Sequence, residues 1–299
     1  MSAQSHRKTW IGAGIAVFLL VAVVALIAVQ TSTLSDLRPD ELRRSGVTPE
    51  AEAKGRALLE RMTEAHGGMA TWRGHKTMEV ELTDTWFKAV ERLAVMPWPE
   101  SGQSLKLTML LGQDISRLEF SDGPLKGESW GVQHWAPYRV KAGETQPLFP
   151  QEDWEVTFWV PTVAYFMEAP FRLGEANVVA YVGERTIGGE VFEGVFLSWG
   201  SDAPQDKVDQ YIAWIGRDSG RLTYLEYTVR DILPSITAVM HYRDYKEVQG
   251  IAVPMNMGTS EGVGMEDTGH RFDVASVAFG GAVAESFLVP DPSQRRSKH

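Results

Sequence analysis

The chain has 299 residues, 43% of them hydrophobic, a formal net charge of −10 at pH 7 and no cysteine. The acidic balance excludes the basic footprint that nucleic-acid binding needs. Without cysteine there are no disulfides, no thiolate chemistry, no Cys-ligated zinc and no lipid-modified cysteine, so the fold must rest on packing alone.

Residues 1–9 close on the basic run His6-Arg7-Lys8 and read as a cytoplasmic tail. Trp10 to Val29 then runs for twenty residues without a charge, which as a helix covers about 30 Å, the hydrocarbon thickness of a bilayer. One uncleaved transmembrane anchor is the expectation. A cleaved export signal is the alternative, but such signals carry about 7 to 15 apolar residues and end in a small-x-small site. Here Leu26-Ile27-Ala28 puts Leu where a small residue belongs. A buried core helix is the third reading. For orientation, Arg7 and Lys8 compete with Arg38, Arg43 and Arg44, all within about 20 residues of the span. The nearest flanks favour an amino terminus in the cytoplasm. The expected setting is a bacterial inner membrane, crossed once, with the remaining chain in the periplasm.

Residues 30–47 are polar and broken by Pro39, and they read as a linker that holds the domain off the membrane. Residues 48–290 are expected to form one β domain and 291–299 a disordered tail. Thr48-Pro49-Glu50 is a helix start: Thr accepts orphan N–H bonds, Pro suits the first helical position and Glu complements the dipole. The helix is expected to end at Gly67-Gly68, with Gly67 as the left-handed cap. Gly55, Leu58, Leu59, Met62 and Ala65 make its apolar face.

From Lys76 the period becomes alternating, with Met78, Val80, Leu82 and Trp86 on one face. Further strands are expected at 105–111, 115–120, 129–135, 154–160, 178–182, 192–199, 208–215, 222–229, 236–245 and 272–279. Turn signals such as Ser121-Asp122-Gly123 and Asp218-Ser219-Gly220 separate them. About ten or eleven strands with little helix between them predict a mainly β (α+β) fold: one antiparallel, strongly curved sheet or open barrel. Pro161 to Pro170 (PTVAYFMEAP) interrupts the strands and is too short to span a membrane. It reads as a short helix or loop across the mouth of the sheet. Phe158, Trp159, Tyr165, Phe166, Met167 and Phe171 gather there, either as ordinary core or as the cover of an apolar cavity.

Several stretches resemble a known family. They are Glu64-Ala-His-Gly-Gly68 running on to Trp72; Tyr181-Val-Gly-Glu-Arg-Thr-Ile-Gly-Gly189; Asp209-Gln-Tyr-Ile-Ala-Trp-Ile215 with Asp218-Ser-Gly-Arg-Leu222; and Tyr242-Arg-Asp-Tyr-Lys-Glu-Val-Gln-Gly-Ile-Ala-Val-Pro254. Together these are similar to the LolA/LolB-like lipoprotein-carrier superfamily over roughly residues 50–290. The resemblance implies a curved antiparallel sheet forming an open, incomplete barrel, with covering helices over its open side and an apolar cavity that accepts acyl chains. A retained protein anchor departs from the freely shuttling carrier and implies a stationary binder, acceptor or sensor.

Candidates for cavity lining are the bulky residues of strands and cover: Trp86, Leu107, Met109, Trp130, Phe158, Tyr165, Phe166, Phe196, Trp214 and Tyr224. Their facing is open, because a one-residue register error turns a strand inside out. Catalytic signals are thin. The seven histidines form no close-spaced ligand pair, although His66 and His75 flank one turn, with a capping or surface role the alternative to a metal. Ser198 and Ser235 sit in no nucleophile elbow. Gly258 to Gly269 lacks a phosphate-loop Lys and reads as a mobile hairpin loop, and Glu152-Asp153 and Glu266-Asp267 read as solvated loop charges.

No enzyme activity, cofactor or metal is therefore expected. The first expectation is a membrane-anchored binder of a lipid, an acylated protein or another hydrophobic molecule. The second is a structural, interaction or sensor module that docks an envelope protein through its sheet.

Overall fold

A computed structural model describes residues 33–281 and 283–296; the tail at 1–9, the apolar run at 10–29 and residues 297–299 lie outside them. Among the described residues no helix is long and apolar enough to cross a membrane. The strands are β1 (Thr77–Trp86), β2 (Gln103–Leu110), β3 (Ile115–Phe120), β4 (Ser129–Gln133), β5 (Ala136–Val140), β6 (Val178–Ile187), β7 (Glu190–Ser198), β8 (Gln210–Gly216), β9 (Leu222–Thr228), β10 (Thr237–Arg243), β11 (Lys246–Val248), β12 (Ile251–Val253), β13 (Asn256–Ser260) and β14 (His270–Phe279). Twelve of them make one sheet in the order β5-β4-β3-β2-β1-β14-β13-β10-β9-β8-β7-β6, with β11 and β12 as a separate hairpin. The pairings are antiparallel, and the edge strands β5 and β6 do not pair with each other, so the barrel stays open.

Side-chain alternation builds this sheet. On β1, Met78, Val80, Leu82 and Trp86 are buried while Glu81 is exposed, as a pleat with one wet face requires. The helices are α1 (Asp40–Ser45), α2 (Pro49–Ala65), α3 (Gly68–Gly74), α4 (Ala89–Ala94), α5 (Trp154–Arg172) and α6 (Glu285–Leu288). Thr48 caps α2 by accepting from the Ala51 N–H at 3.2 Å. Leu58, Leu59 and Met62 are buried, and α2 packs on β6 and β7. A Cβ on Gly55 would stand 2.9 Å from Val179 Cγ1, so glycine is what lets helix and strand approach. Gly67 has φ +113°, and a Cβ there would meet the Gly250 carbonyl at 2.1 Å; only glycine serves.

Five expectations are corrected. Residues 154–160 are not a strand but the first turns of α5, which absorbs the Pro161–Pro170 segment into one helix of 19 residues. The WEVTFWV alternation misleads over seven residues. Val156, Val160, Val163, Met167 and Phe171, all buried, show the spacings of three and four that belong to a helix. Residues 33–47 are not a free linker: Leu37, Leu42 and Val47 pack on the outer face of the sheet beside Ala180, Phe196 and Trp214. The Leu37 N–H also donates to Gln210 Oε1 at 3.0 Å. Residues 291–296 are held too, since Gln133 Nε2 donates to the Gln294 carbonyl at 2.8 Å and the Arg296 N–H to the His134 carbonyl at 2.9 Å. Finally, Gly258 to Ser260 belongs to β13. Asp267 is ion-paired with Arg243 and Asp153 with Arg139 at 2.5 Å, so neither is a solvated loop charge.

One polar group in the core reports on packing. At the end of α2, His66 Nδ1 donates to the Met62 carbonyl at 2.7 Å, its ring packs edge-on against Tyr245 at 5.2 Å, and its buried Nε2 has no partner. Burial pushes its pKa down from 6.5 to about 4. The unfolded chain takes up a proton near 6.5 that the folded chain refuses until about 4, so stability is full above 6.5 and is lost as pH falls through that window. The loss approaches about 3 kcal/mol from this group. Urea unfolding at pH 7 and pH 4.5 is expected to show the drop in the native chain and a smaller drop in His66→Gln; equal drops refute the assignment.

Candidate functional site

The chain leaves the sheet at one edge, β5, and re-enters at the other, β6, and α5 makes the crossing. A helix of 19 residues is about 28 Å long. Asp153 starts it, accepting from the Val156 N–H at 3.2 Å while Arg139 of β5 donates to the same carboxylate at 2.5 and 2.8 Å. Near its far end Glu168 accepts from the Gly112 N–H of the β2–β3 turn at 2.9 Å and from Arg172 Nη1 at 2.7 Å. Pro161 has no N–H to return to the Thr157 carbonyl; Thr162 Oγ1 instead donates to the Phe158 carbonyl at 2.6 Å.

One face of α5 closes the core through Trp159, Val160, Val163 and Met167. Along its flank runs a cleft of about 420 Å³, lined by Thr157, Phe158, Pro161, Thr162, Tyr165 and Phe166 of the helix. Gln113, Asp114 and Trp135 line it from the β2–β3 and β4–β5 turns, and Trp199, Asp209, Tyr211, Tyr227 and Asp231 from the ends of β7, β8 and β9. Its rings meet edge to face or tilted, apart from the stacked pair Tyr211 and Tyr227. Trp199 lies 5.5 Å from Tyr211, Tyr165 lies 6.1 Å from Trp199 and 6.2 Å from Tyr211, and Phe166 lies 5.1 Å from Tyr227.

The charges in the cleft are unevenly satisfied. Burial pushes the Glu168 carboxyl up to about 7 against the pull of Arg172 and the Gly112 N–H. Arg172 is held charged by Glu168 at 2.7 Å, Glu175 at 2.8 Å and Asp114 at 3.9 Å. Burial also raises Asp209, although the Arg230 N–H and the Thr228 hydroxyl oppose it. The Tyr165 hydroxyl is buried without a partner, and burial raises its pKa. Such a lining can bind and orient a ligand. Among the described residues no group of three or more His, Asp or Glu could hold a metal. His66 lies in the core, while His75 stacks on Phe279 at 4.9 Å.

The ten candidate residues fall into three places. Phe158, Tyr165 and Phe166 line the cleft. Trp86, Leu107, Met109 and Trp130 share the inner face but are packed core, at most 4% exposed. Phe196, Trp214 and Tyr224 point to the opposite face, into the cluster that the 33–47 strap covers. Trp199, Asp209, Tyr211 and Tyr227 were not among the candidates. Strand parity was the available signal: Tyr211 shares its face with Ala213 and Ile215, and Trp214 does not.

No protein-family model matches the sequence, and no curated protein matches it. Among solved structures, the chain is similar to a candidate outer-membrane lipoprotein-sorting protein domain from Vibrio parahaemolyticus, with a TM-score of 0.52 and 10% identity over 79% of this chain and 97% of that one. It is also similar to a DUF1329 family protein from Desulfovibrio piger, with a TM-score of 0.51 and 9% identity over 81% of this chain and 98% of that one. A LolA superfamily protein from Nitrosomonas europaea gives 0.47 and 9% identity over 78% and 96%. At such identities likeness speaks to architecture alone, and the chain shares the fold of the Vibrio and Desulfovibrio domains.

Core and cleft wall are separable by truncation. Leu107→Ala is expected to cost about 3 kcal/mol, the range for a fully packed leucine, and Phe158→Ala at the open flank about 1 kcal/mol. Chemical denaturation of the two variants checks this, and equal costs would remove the distinction.

Proposed function

We propose that the protein is a membrane-anchored, extracytoplasmic, non-catalytic binding protein that holds a lipid, an acylated protein's chain or another hydrophobic molecule in the cleft beside α5. The observation that carries this reading is the unfilled volume of about 420 Å³ walled by half-buried aromatic rings. It lies within the roughly 300–1,000 Å³ of small-molecule sites, which are apolar with a few polar groups. Each buried CH₂ of an acyl chain contributes about 0.8 kcal/mol, so even a short chain laid along Phe158, Tyr165 and Tyr211 is retained. The architecture shared with the Vibrio domain, itself a candidate in lipoprotein sorting, is consistent with such a ligand.

The strap supports exchange with the membrane that carries the anchor. Residues 33–47 pack on the domain, so only residues 30–32 lie between the apolar run and the first described residue, a reach of about 10 Å. The chain enters beside the β9–β10 connection, where the Ser35 N–H donates to the Pro234 carbonyl at 3.0 Å. Val229 and Asp231 of that connection line the cleft. On this reading the cleft opens at the tethered end of the domain, and the ligand passes between membrane and cleft over a short distance.

A second reading, an interaction module, rests on α4. Val90 is 68% and Leu93 90% exposed, and Met265 in the neighbouring loop is 60% exposed, an apolar tip suited to a protein partner.

Titration of a dansyl fatty acid into the chain from residue 30 onward, with native mass spectrometry of the same sample, tests the first reading. Bound lipid or a saturable fluorescence rise is expected. Thr162→Trp, which fills the cleft, is expected to weaken binding at least tenfold while moving the melting point by about 3 °C or less. Trp214→Phe, on the opposite face, is expected to leave binding unchanged. An empty protein that ignores the probe, crosslinked in cells through Leu93 to one dominant protein, would favour the interaction module instead.

A further inference from the structure

We propose that the cleft beside α5 selects amphiphiles with a cationic headgroup, a protonated amine or quaternary ammonium, seated against Asp209, Asp231 and the rings of Tyr211 and Tyr227. This inference rests on the binding role proposed above and names the ligand class of that same site.

Four carboxylates line the cleft, Asp114, Glu168, Asp209 and Asp231, against one cation, Arg172. Arg172 is already committed to Asp114, Glu168 and Glu175, so it balances the wall nearest the β2–β3 turn and nothing beyond it. On the opposite wall neither Asp209 nor Asp231 has an ion-pair partner among the described residues. Asp209 Oδ1 accepts from Thr228 Oγ1 at 2.8 Å and from the Arg230 N–H at 2.9 Å. The Arg230 guanidinium, the nearest cation in sequence, turns away to the Ser35 hydroxyl at 2.8 Å, the Ser35 carbonyl at 2.5 Å and the Pro234 carbonyl.

Beside these carboxylates, which form no salt bridge among the described residues, the Tyr211 and Tyr227 rings lie with centroids 6.4 Å apart and planes 25° from parallel, and the cleft continues past them to Tyr165, Trp199 and Phe158. Aromatic faces attract cations, most strongly where water is partly excluded, and a desolvated carboxylate gains from an opposite charge within about 4–6 Å. An anionic headgroup placed there meets like charge, and a neutral one adds no countercharge to Asp209 beyond the Thr228 hydroxyl, the Arg230 N–H and the more distant Arg230 guanidinium. Helix and strand ends thus supply an apolar trough for the chain and an acidic, ring-lined seat for a positive head.

The test uses the full-length chain in nanodiscs of a neutral galactolipid, which carries neither an amine nor a quaternary ammonium, with empty nanodiscs as the blank. Calorimetric titration compares octyltrimethylammonium, octanoate and octanol, which share one chain length and differ in head charge. The cation is expected to bind at least tenfold tighter than octanoate. Asp231→Asn and Asp209→Asn, which keep the acceptor oxygens of the fold, are expected together to remove most of that preference while octanol binding stays unchanged. Octanoate binding as tightly as the cation overturns the inference and leaves the binding role standing. A cation preference untouched by both substitutions overturns it as well, because the selectivity then arises elsewhere. Failure of all three probes to bind overturns both the inference and the role it rests on.

Discussion

Two sheet edges that do not meet govern the rest of this structure. The strand order begins at β5 and ends at β6, and these two strands are joined in sequence by the segment that contains α5. An open edge presents unpaired N–H and C=O groups and exposes the inner face, which has to be covered. The chain can pass from one edge to the other only by crossing the open side. That crossing is what gives α5 its place, its apolar composition and its anchored ends.

Because the crossing is made by a single helix, it does not cover the inner face of the sheet evenly. Over β2 to β5 the helix closes onto Trp130, Leu107 and Val132, all nearly or fully buried. Toward β7, β8 and β9 it stands off, and aromatic side chains rather than backbone span the distance, leaving the cleft. The polar groups at the helix ends hold this geometry. Arg139 with Asp153 fixes the start, and Gly112 with Glu168 and Arg172 fixes the finish. Charge-assisted bonds at both ends, partly shielded from water, are stronger than exposed ion pairs.

The outer face of the sheet is covered differently. Between β6 and β10 it carries a second cluster, Phe192, Phe196, Ile212, Trp214 and Tyr224, roofed by Leu37, Leu42 and Val47. The same fifteen-residue stretch (33–47) that shields these rings also shortens the path to the apolar amino-terminal run. Covering the outer face and fixing where the amino-terminal side of the domain begins are therefore two results of one packing event.

How much of this was legible in the residues depends on the range of the interaction. Period-two alternation located β1, β2, β3, β7, β8, β9, β10 and β14 within a residue or two, and Thr48-Pro49 with Gly67 marked the ends of α2, because those signals are local. It failed at Trp154 to Val160, where seven residues of accidental alternation hid a helix whose period shows only over nineteen. It also failed at Ala136 to Val140, whose pairing with β4 places a Pro-containing stretch on an edge, where proline is tolerated. By itself the sequence determined eight of the strands of the large sheet, its antiparallel class and the aromatic richness of residues 154–171, but not that those residues form one helix. Which face each ring takes, which of Tyr211 and Trp214 meets the cleft, that 33–47 packs instead of floating, and that volume remains beside α5 were decided only by the tertiary structure. The physical reason is that side-chain facing and residual volume depend on register, bulges and the distance between two edges far apart in the chain, and none of these is encoded within a single strand or helix.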